Sequence, residues 1–239
     1  MSAKESAPEK FVLDSYIEHL KEHFQAALSE TKSSVENNLR KNLENKRKQW
    51  PYSLLLGERE LRYLTITSSL ESKLGSSLEK AIRDFVKRHL AHWQVPEESG
   101  KKGSGRKKKP DLVIIDTEGE RKTVYVFELK VGGNMDNTKI PGEISKLKNV
   151  ANNVRQEITD CQNLEAYLAI LVDDQTVVSR IKNSASSEGV KVIGGREFWG
   201  MLFSVKDNGM LDYVEEKVKD AYKRAAQEVK FSNLFEPNP

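Results

Sequence analysis

Pro110-Asp111-Leu112-Val113-Ile114-Ile115-Asp116, followed by Thr123-Val124-Tyr125-Val126-Phe127-Glu128-Leu129-Lys130, is the stretch on which the reading of this chain turns. From Asp111 to Asp116 and from Thr123 to Lys130 the runs are rich in Val, Ile, Tyr and Phe, residues suited to a pleated, half-buried surface, and both read as strands. Between them, Gly119-Glu120 can form a two-residue turn with glycine at its first central position. With that turn, residue 118 faces 121 and the two numbers of every facing pair add to 239, so Asp111 stands opposite Glu128. Side chains alternate between the faces of a strand, so Glu128 and Lys130 point the same way. Facing partners share a face. Asp111, Glu128 and Lys130 therefore converge on one small site, provided the register holds: a slip of one residue separates them.

Two carboxylates a few ångströms apart repel each other and need a cation. All-oxygen coordination suits Mg²⁺, which keeps several waters and accepts one or two carboxylates plus phosphate oxygens. A lysine beside them can orient a water, neutralise developing charge, or act as a base if its pKa falls. Metal, water and lysine together suit in-line attack on a phosphodiester.

This arrangement resembles the PD-(D/E)XK nuclease superfamily. The motif stands as Pro110-Asp111, sixteen residues, then Glu128-Leu129-Lys130. The resemblance runs from a helix at 69–92 to a strand at 168–172. It implies an α/β fold with an αβββαβ core: a mixed central sheet flanked by helices, here with an N-terminal helical arm. It also implies roles: Asp111 and Glu128 as metal ligands, the Leu129 backbone carbonyl as a third, Lys130 to position or deprotonate the water, and Mg²⁺ as cofactor. In that superfamily an acidic residue on the first core helix often completes the metal site, and Glu79 is the matching candidate; the other reading of Glu79 is first-turn charge complementing the helix dipole. Within the superfamily the chain looks most like a type II restriction endonuclease, by its size and by the segment ELKVGGNMDNTKIP at 128–141. That implies double-stranded DNA as partner, products with 5′-phosphate and 3′-hydroxyl ends, and a DNA methyltransferase as genetic neighbour. The rivals are a repair or recombination nuclease that reads structure, and a catalytically inactive DNA-binding module.

Beside the motif lie residues suited to DNA. Gly132 and Gly133 permit a tight turn and close approach of backbone to a ligand, which sets Asn134, Asp136, Asn137 and Lys139 next to the reacting phosphate. A helix at 142–160 buries Ile144, Leu147, Val150, Val154 and Ile158 and shows Lys146, Lys148, Asn149, Asn152, Asn153, Arg155 and Gln156 on its other faces. Asn and Gln suit adenine edges and Arg suits guanine. Lys101 to Lys109, KKGSGRKKK, carries six positive charges and no negative one. The whole chain is at +3 from 39 basic and 36 acidic residues, so the remainder is at −3 and the basic charge is local. Lys107, Lys108 and Lys109, just before Asp111, suit phosphates rather than bases; the alternative is a solvated loop.

Elsewhere, Phe11, Ile17, Leu20, Phe24, Leu28, Val35, Leu39 and Leu43 recur at mostly helical spacing over 9–46, interrupted at Thr31 to Ser34, where a break or a change of partner is expected. Residues 1–50 are read as an arm for dimer or DNA contact and 51–239 as the nuclease domain. The arm's apolar stripe, and the match between a twofold protein and twofold DNA, point to a homodimer. Ser76 or Ser77 is expected to cap the helix at 69–92. Strands are expected at Leu168–Val172 and Val190–Ile193, with closing helices at 195–204 and 211–231. Hydrophobic residues make up 37% and charged residues 31%, which leaves no apolar run long enough for a membrane. The start, MSAKESAPEK, lacks a secretory apolar segment, and a single cysteine, Cys161, excludes an intrachain disulfide and a Cys-rich zinc site; a reducing cytoplasm is the expected location. His19-Leu20-Lys21-Glu22-His23 matches a zinc-protease pattern but lies on a polar arm with nothing to nominate a third ligand.

Overall fold

A computed structural model describes residues 10–49, 52–96, 109–116, 122–130, 140–158, 160–171, 175–185 and 189–235. An uninterrupted helix, α1 (Lys10–Arg47), comes first. The expected break at Thr31 to Ser34 is absent. Thr31 is buried between Leu28 and Val35 and carries the stripe across the gap, giving its hydroxyl proton to Ser77 Oγ at 2.7 Å. A short helix, α2 (Tyr52–Leu55), leads to α3 (Glu58–His89). The latter begins well before residue 69, with Glu58 and Glu60 in its first turn, where carboxylates complement the dipole. Ser76 and Ser77 are therefore mid-helix and cap nothing, and Glu79 has no helix end to complement.

The sheet follows: β1 (Trp93–Gln94), β2 (Leu112–Asp116), β3 (Thr123–Lys130), α4 (Ile140–Glu157), β4 (Asn163–Ile170), α5 (Gln175–Ala185) and β5 (Val190–Gly194). The chain closes with α6 (Gly195–Leu202), α7 (Asn208–Val229) and a 3₁₀ turn at Phe231–Leu234. The strands lie in the order β1-β2-β3-β4-β5. The first two neighbouring pairs are antiparallel and the last two parallel, a mixed sheet. Parallel neighbours need a crossover, and α4 and α5 supply them. From α3 to β4 the order is helix, three strands, helix, strand. The first of those strands, β1, is only two residues long, and neither it nor α5 is assigned by the sequence reading. The strand expected at 168–172 begins earlier, at Asn163, because its first half alternates rather than staying apolar.

The antiparallel register is the one the turn implies: Leu112 faces Phe127, Val113 faces Val126, and Asp116 faces Thr123. Gly119-Glu120 itself lies outside the described residues. Even-numbered residues of β3, Val124 and Val126, join Ile144, Leu147 and Val150 of α4 in one apolar cluster with Leu168, Ile170, Ile181 and Val192. On the odd-numbered side, Phe127 stacks on Tyr167 at 5.3 Å and meets the edge of Phe198 at 5.4 Å. This parity fixes what comes next, since Glu128 and Lys130 continue the face that α4 covers.

The chain divides into a sheet unit, within 1–16 and 83–217, and a helical unit, within 17–82 and 218–239. The boundary expected at residue 50 does not coincide with that division. Inside the helical unit, α1 packs on other parts of the same chain. Asn42 donates to Ser69 Oγ at 3.2 Å, Lys21 pairs with Glu228 at 2.8 Å, and Phe24 meets Tyr222 edge-on at 5.5 Å. Ile17, Leu20, Phe24, Leu28 and Val35 are all buried. Of the expected stripe, Ile17 to Val35 finds cover within the chain, Leu39 and Leu43 are half-buried, and Phe11 is exposed. Among the described residues no helix is long and apolar enough to cross a membrane.

Candidate active site

At the end of the β2–β3 ladder the motif residues meet. Asp111 lies one residue before β2; its N–H donates to the Phe127 carbonyl at 3.1 Å, one position off the register that pairs Leu112 with Phe127. Its carboxylate Oδ2 accepts the Leu129 N–H at 2.8 Å. A strand residue's N–H and C=O face the same neighbour, so the Leu129 carbonyl is aimed at the Asp111 edge as well. Arg83, late in α3, donates from Nε and Nη2 to the Asp111 carbonyl at 3.0 and 2.5 Å. The backbone on both sides of the Asp111 carboxyl is therefore fixed.

Glu128 is only 3% exposed, although it carries a carboxylate. Its Oε1 accepts from Lys130 Nζ at 2.9 Å and from Lys146 Nζ at 2.7 Å. Both ammonium groups also reach Glu143 Oε2, each at 3.3 Å. Glu128, Lys130, Glu143 and Lys146 thus close a ring of alternating charge, two members from β3 and two from the first turns of α4. The sequence reading puts Lys146 on a DNA-facing surface and passes over Glu143. The structure turns both toward β3. A signal for them exists: each borders the apolar stripe at Ile144 and Leu147, and α4 crosses over the even-numbered face of β3.

The charges bias one another. Burial and the neighbouring Glu128 push the Asp111 carboxyl up to about 6, against the opposing pull of the Leu129 N–H, Lys130 and Lys146. Burial alone would pull Lys130 and Lys146 down, but their hydrogen bonds and ion pairs with Glu128 and Glu143 outweigh it, and both sit above the usual lysine range. Burial works to raise Glu143, yet the two lysines outweigh that and hold it below the usual carboxylate range. Lys130 is thus kept as an ammonium ion. In that form it is a donor and a charge; acting as a base would need its pKa to fall.

The donor set suits a hard divalent cation. Three carboxylates outnumber two ammonium groups at this spot. Asp111, whose described partner is a neutral N–H, is left at a raised pKa by burial first and by the neighbouring Glu128 second. Among the described residues no three His, Cys, Asp or Glu side chains group as a full ligand set. A cation here would rest on Asp111, Glu128 and the Leu129 carbonyl, completed by water and substrate oxygens, as Mg²⁺ accepts.

The remaining predicted residues are described only in part. Glu79 is half-buried in mid-α3, within the helical unit. Lys109 is exposed, two positions before Asp111; Lys107, Lys108, Asn134, Asp136, Asn137 and Lys139 lie outside the described residues. Asn152, Arg155 and Gln156 are exposed on α4 and Asn153 is half-buried. By the helix rise they lie roughly 9 Å or more along the axis from Lys146, so they do not join the ring. His19 pairs with Glu22 at 3.4 Å on an exposed face, and no zinc cluster forms around it among the described residues.

No protein-family model matches the chain, and no curated protein matches it. Among solved structures it is similar to the restriction endonuclease FokI, with 12% sequence identity and a TM-score of 0.37, over 86% of this chain and 33% of that one. The chain spans about a third of the length of that structure. So loose a likeness assigns no role, and the functional reading rests on the geometry at the end of β3.

Proposed function

We propose that the chain is a divalent-metal-dependent DNA endonuclease, and within that class a site-specific enzyme of the type II restriction kind. The observation that carries the reading is the meeting of Asp111, Glu128 and Lys130 at the end of the β2–β3 ladder, with one carboxyl near pKa 6 beside a second, buried one. Mg²⁺ held by Asp111, Glu128 and the Leu129 carbonyl would polarise a phosphodiester and acidify a bound water. The protein's own part is positioning. The Leu129 N–H orients the Asp111 carboxylate, and Arg83 fixes the strand on which it sits. Lys130, protonated and held by Glu143, presents N–H donors that align the attacking water and offset charge growing on the phosphate oxygens.

The basic stretch ending at Lys109 precedes Asp111 directly, so Lys107, Lys108 and Lys109 would hold DNA through phosphates. Asn152, Asn153, Arg155 and Gln156, with Asn134, Asp136, Asn137 and Lys139, are the proposed base and phosphate contacts. Cutting both strands of a palindrome would take two copies, one site per strand.

Digestion of a supercoiled plasmid with Mg²⁺, followed by sequencing of the ends, tests the reading. Discrete fragments with 5′-phosphates support it. Cutting only at branches or flaps would move the protein to repair, and binding without cutting at any divalent ion would make it an inactive module.

A further inference from the structure

We propose that Lys146 is an internal counter-ion that occupies Glu128 until a divalent cation arrives, and that Glu143 is the seat to which it then moves. The inference rests on the metal-site reading above and adds two residues that the nuclease motif does not contain. Glu128 is buried to 3% exposure, and a buried carboxylate must have a partner. Its Oε1 accepts from two ammonium groups, and the shorter contact, 2.7 Å, belongs to Lys146 rather than to Lys130 at 2.9 Å. A cation that takes Glu128 as a ligand must compete with them. Glu143 makes that exchange cheap: it already touches both lysines at 3.3 Å, so each ammonium keeps a carboxylate when it releases Glu128.

The charges agree with this order of events. With Asp111, Glu128 and Glu143 ionised against Lys130 and Lys146, the cluster stands at −1. A divalent cation takes it to +1, and one scissile phosphate returns it to zero. The ring is thus set to bind metal, then substrate. Lys146 and Glu143 are positioning residues in this scheme, and they act in opposite directions on the cation.

The test is cation binding without DNA or turnover. Mn²⁺, which accepts the same oxygen ligands as Mg²⁺, is titrated into the full chain while free ion is counted by electron paramagnetic resonance. Lys146→Met should tighten Mn²⁺ binding by about tenfold, as expected for removing one nearby like charge. Glu143→Gln should loosen it by about tenfold. Because Glu143 acts partly by receiving Lys146, its effect should shrink to about threefold or less in the Lys146→Met background. Lys146→Gln and thermal melts guard against a variant that fails to fold. Unchanged or weaker binding in both folded Lys146 variants would overturn the counter-ion role, and strict additivity of the two changes would overturn the hand-over. Asp111→Asn separates the two levels of the argument. If it abolishes Mn²⁺ binding while Lys146→Met changes nothing, the metal site stands and the counter-ion fails. If Asp111→Asn binds Mn²⁺ like the wild type, the metal-site reading itself falls.

Discussion

Three polar residues are buried among the described ones: Thr31 and Thr65 in the helical unit and Glu128 in the sheet unit. The threonines are satisfied cheaply. Thr65 donates to the Leu61 carbonyl one turn back, at 2.7 Å, and Thr31 to Ser77 Oγ, also at 2.7 Å. Each needs one neutral hydrogen bond, and each sits where a valine would nearly fit. Glu128 is a different case. Its burial takes two lysines, and those lysines take a second glutamate. A fold that wanted only stability would gain more from an apolar residue at that position, since a buried ion pair rarely repays its desolvation. The contrast separates polar burial that one neutral hydrogen bond satisfies from polar burial that takes a charged network.

The largest effect should come from Glu128. Glu128→Gln keeps the shape but leaves Lys130 and Lys146 sharing one carboxylate. It should cost about 2–3 kcal/mol of stability, the lower end for breaking a buried pair because both lysines still reach water, and it should abolish cleavage. Urea unfolding and a plasmid assay read the two results. A fully active Glu128→Gln would erase the distinction between the two kinds of burial.

Asp111 should show a smaller effect of opposite sign on stability. Its folded pKa, about 6, lies above the ordinary carboxyl value of 3.8, so between those values the native state holds the extra proton. Stability of the metal-free protein therefore falls as pH rises through that window and stays lower above it. Asp111→Asn removes the penalty. It should stabilise the metal-free protein by about 1–2 kcal/mol at pH 8, after allowance for partial exposure, and by little at pH 4. Denaturant melts at the two pH values check this. A variant that loses cleavage yet gains stability marks a residue kept for function.

The smallest effects belong to the threonines. Thr31→Val and Thr65→Val should each change stability by about 1 kcal/mol or less and leave cleavage unchanged. A loss of cleavage in either would show that the helical unit takes part in the chemistry.

What could be read in the sequence follows the reach of each interaction. The register of β2 against β3 was legible because the period of a strand is a local rule, although Asp111 itself stands just outside the paired residues. The αβββαβ order was legible through the motif, although β1 is too short to leave any pattern of its own. The true start of α3 was not: Thr65, Ser68 and Ser69 dilute its apolar stripe, and Thr65 and Ser68 are reconciled with helix only by bonding back to Leu61 and Leu64. Thr31 misled in the same way, looking like a break while its hydroxyl finds Ser77 46 residues away. Glu143 and Lys146, on α4, were missed as site residues because their partners Glu128 and Lys130 are on a different element, β3. Nothing in a helical wheel tells a solvated ion pair from one closed over a buried carboxylate.

The central claim is that Lys130, held as an ammonium ion between Glu128 and Glu143, belongs to a metal-dependent cut of DNA. The most direct measurement is single-turnover cleavage by Lys130→Ala with Mg²⁺, alongside DNA affinity measured in Ca²⁺. The account predicts at least about a thousandfold loss of cleavage rate, the upper part of the range for removing one preorganised donor, with affinity within about threefold of the wild type. Lys130→Ala that retained more than a tenth of wild-type cleavage would contradict it.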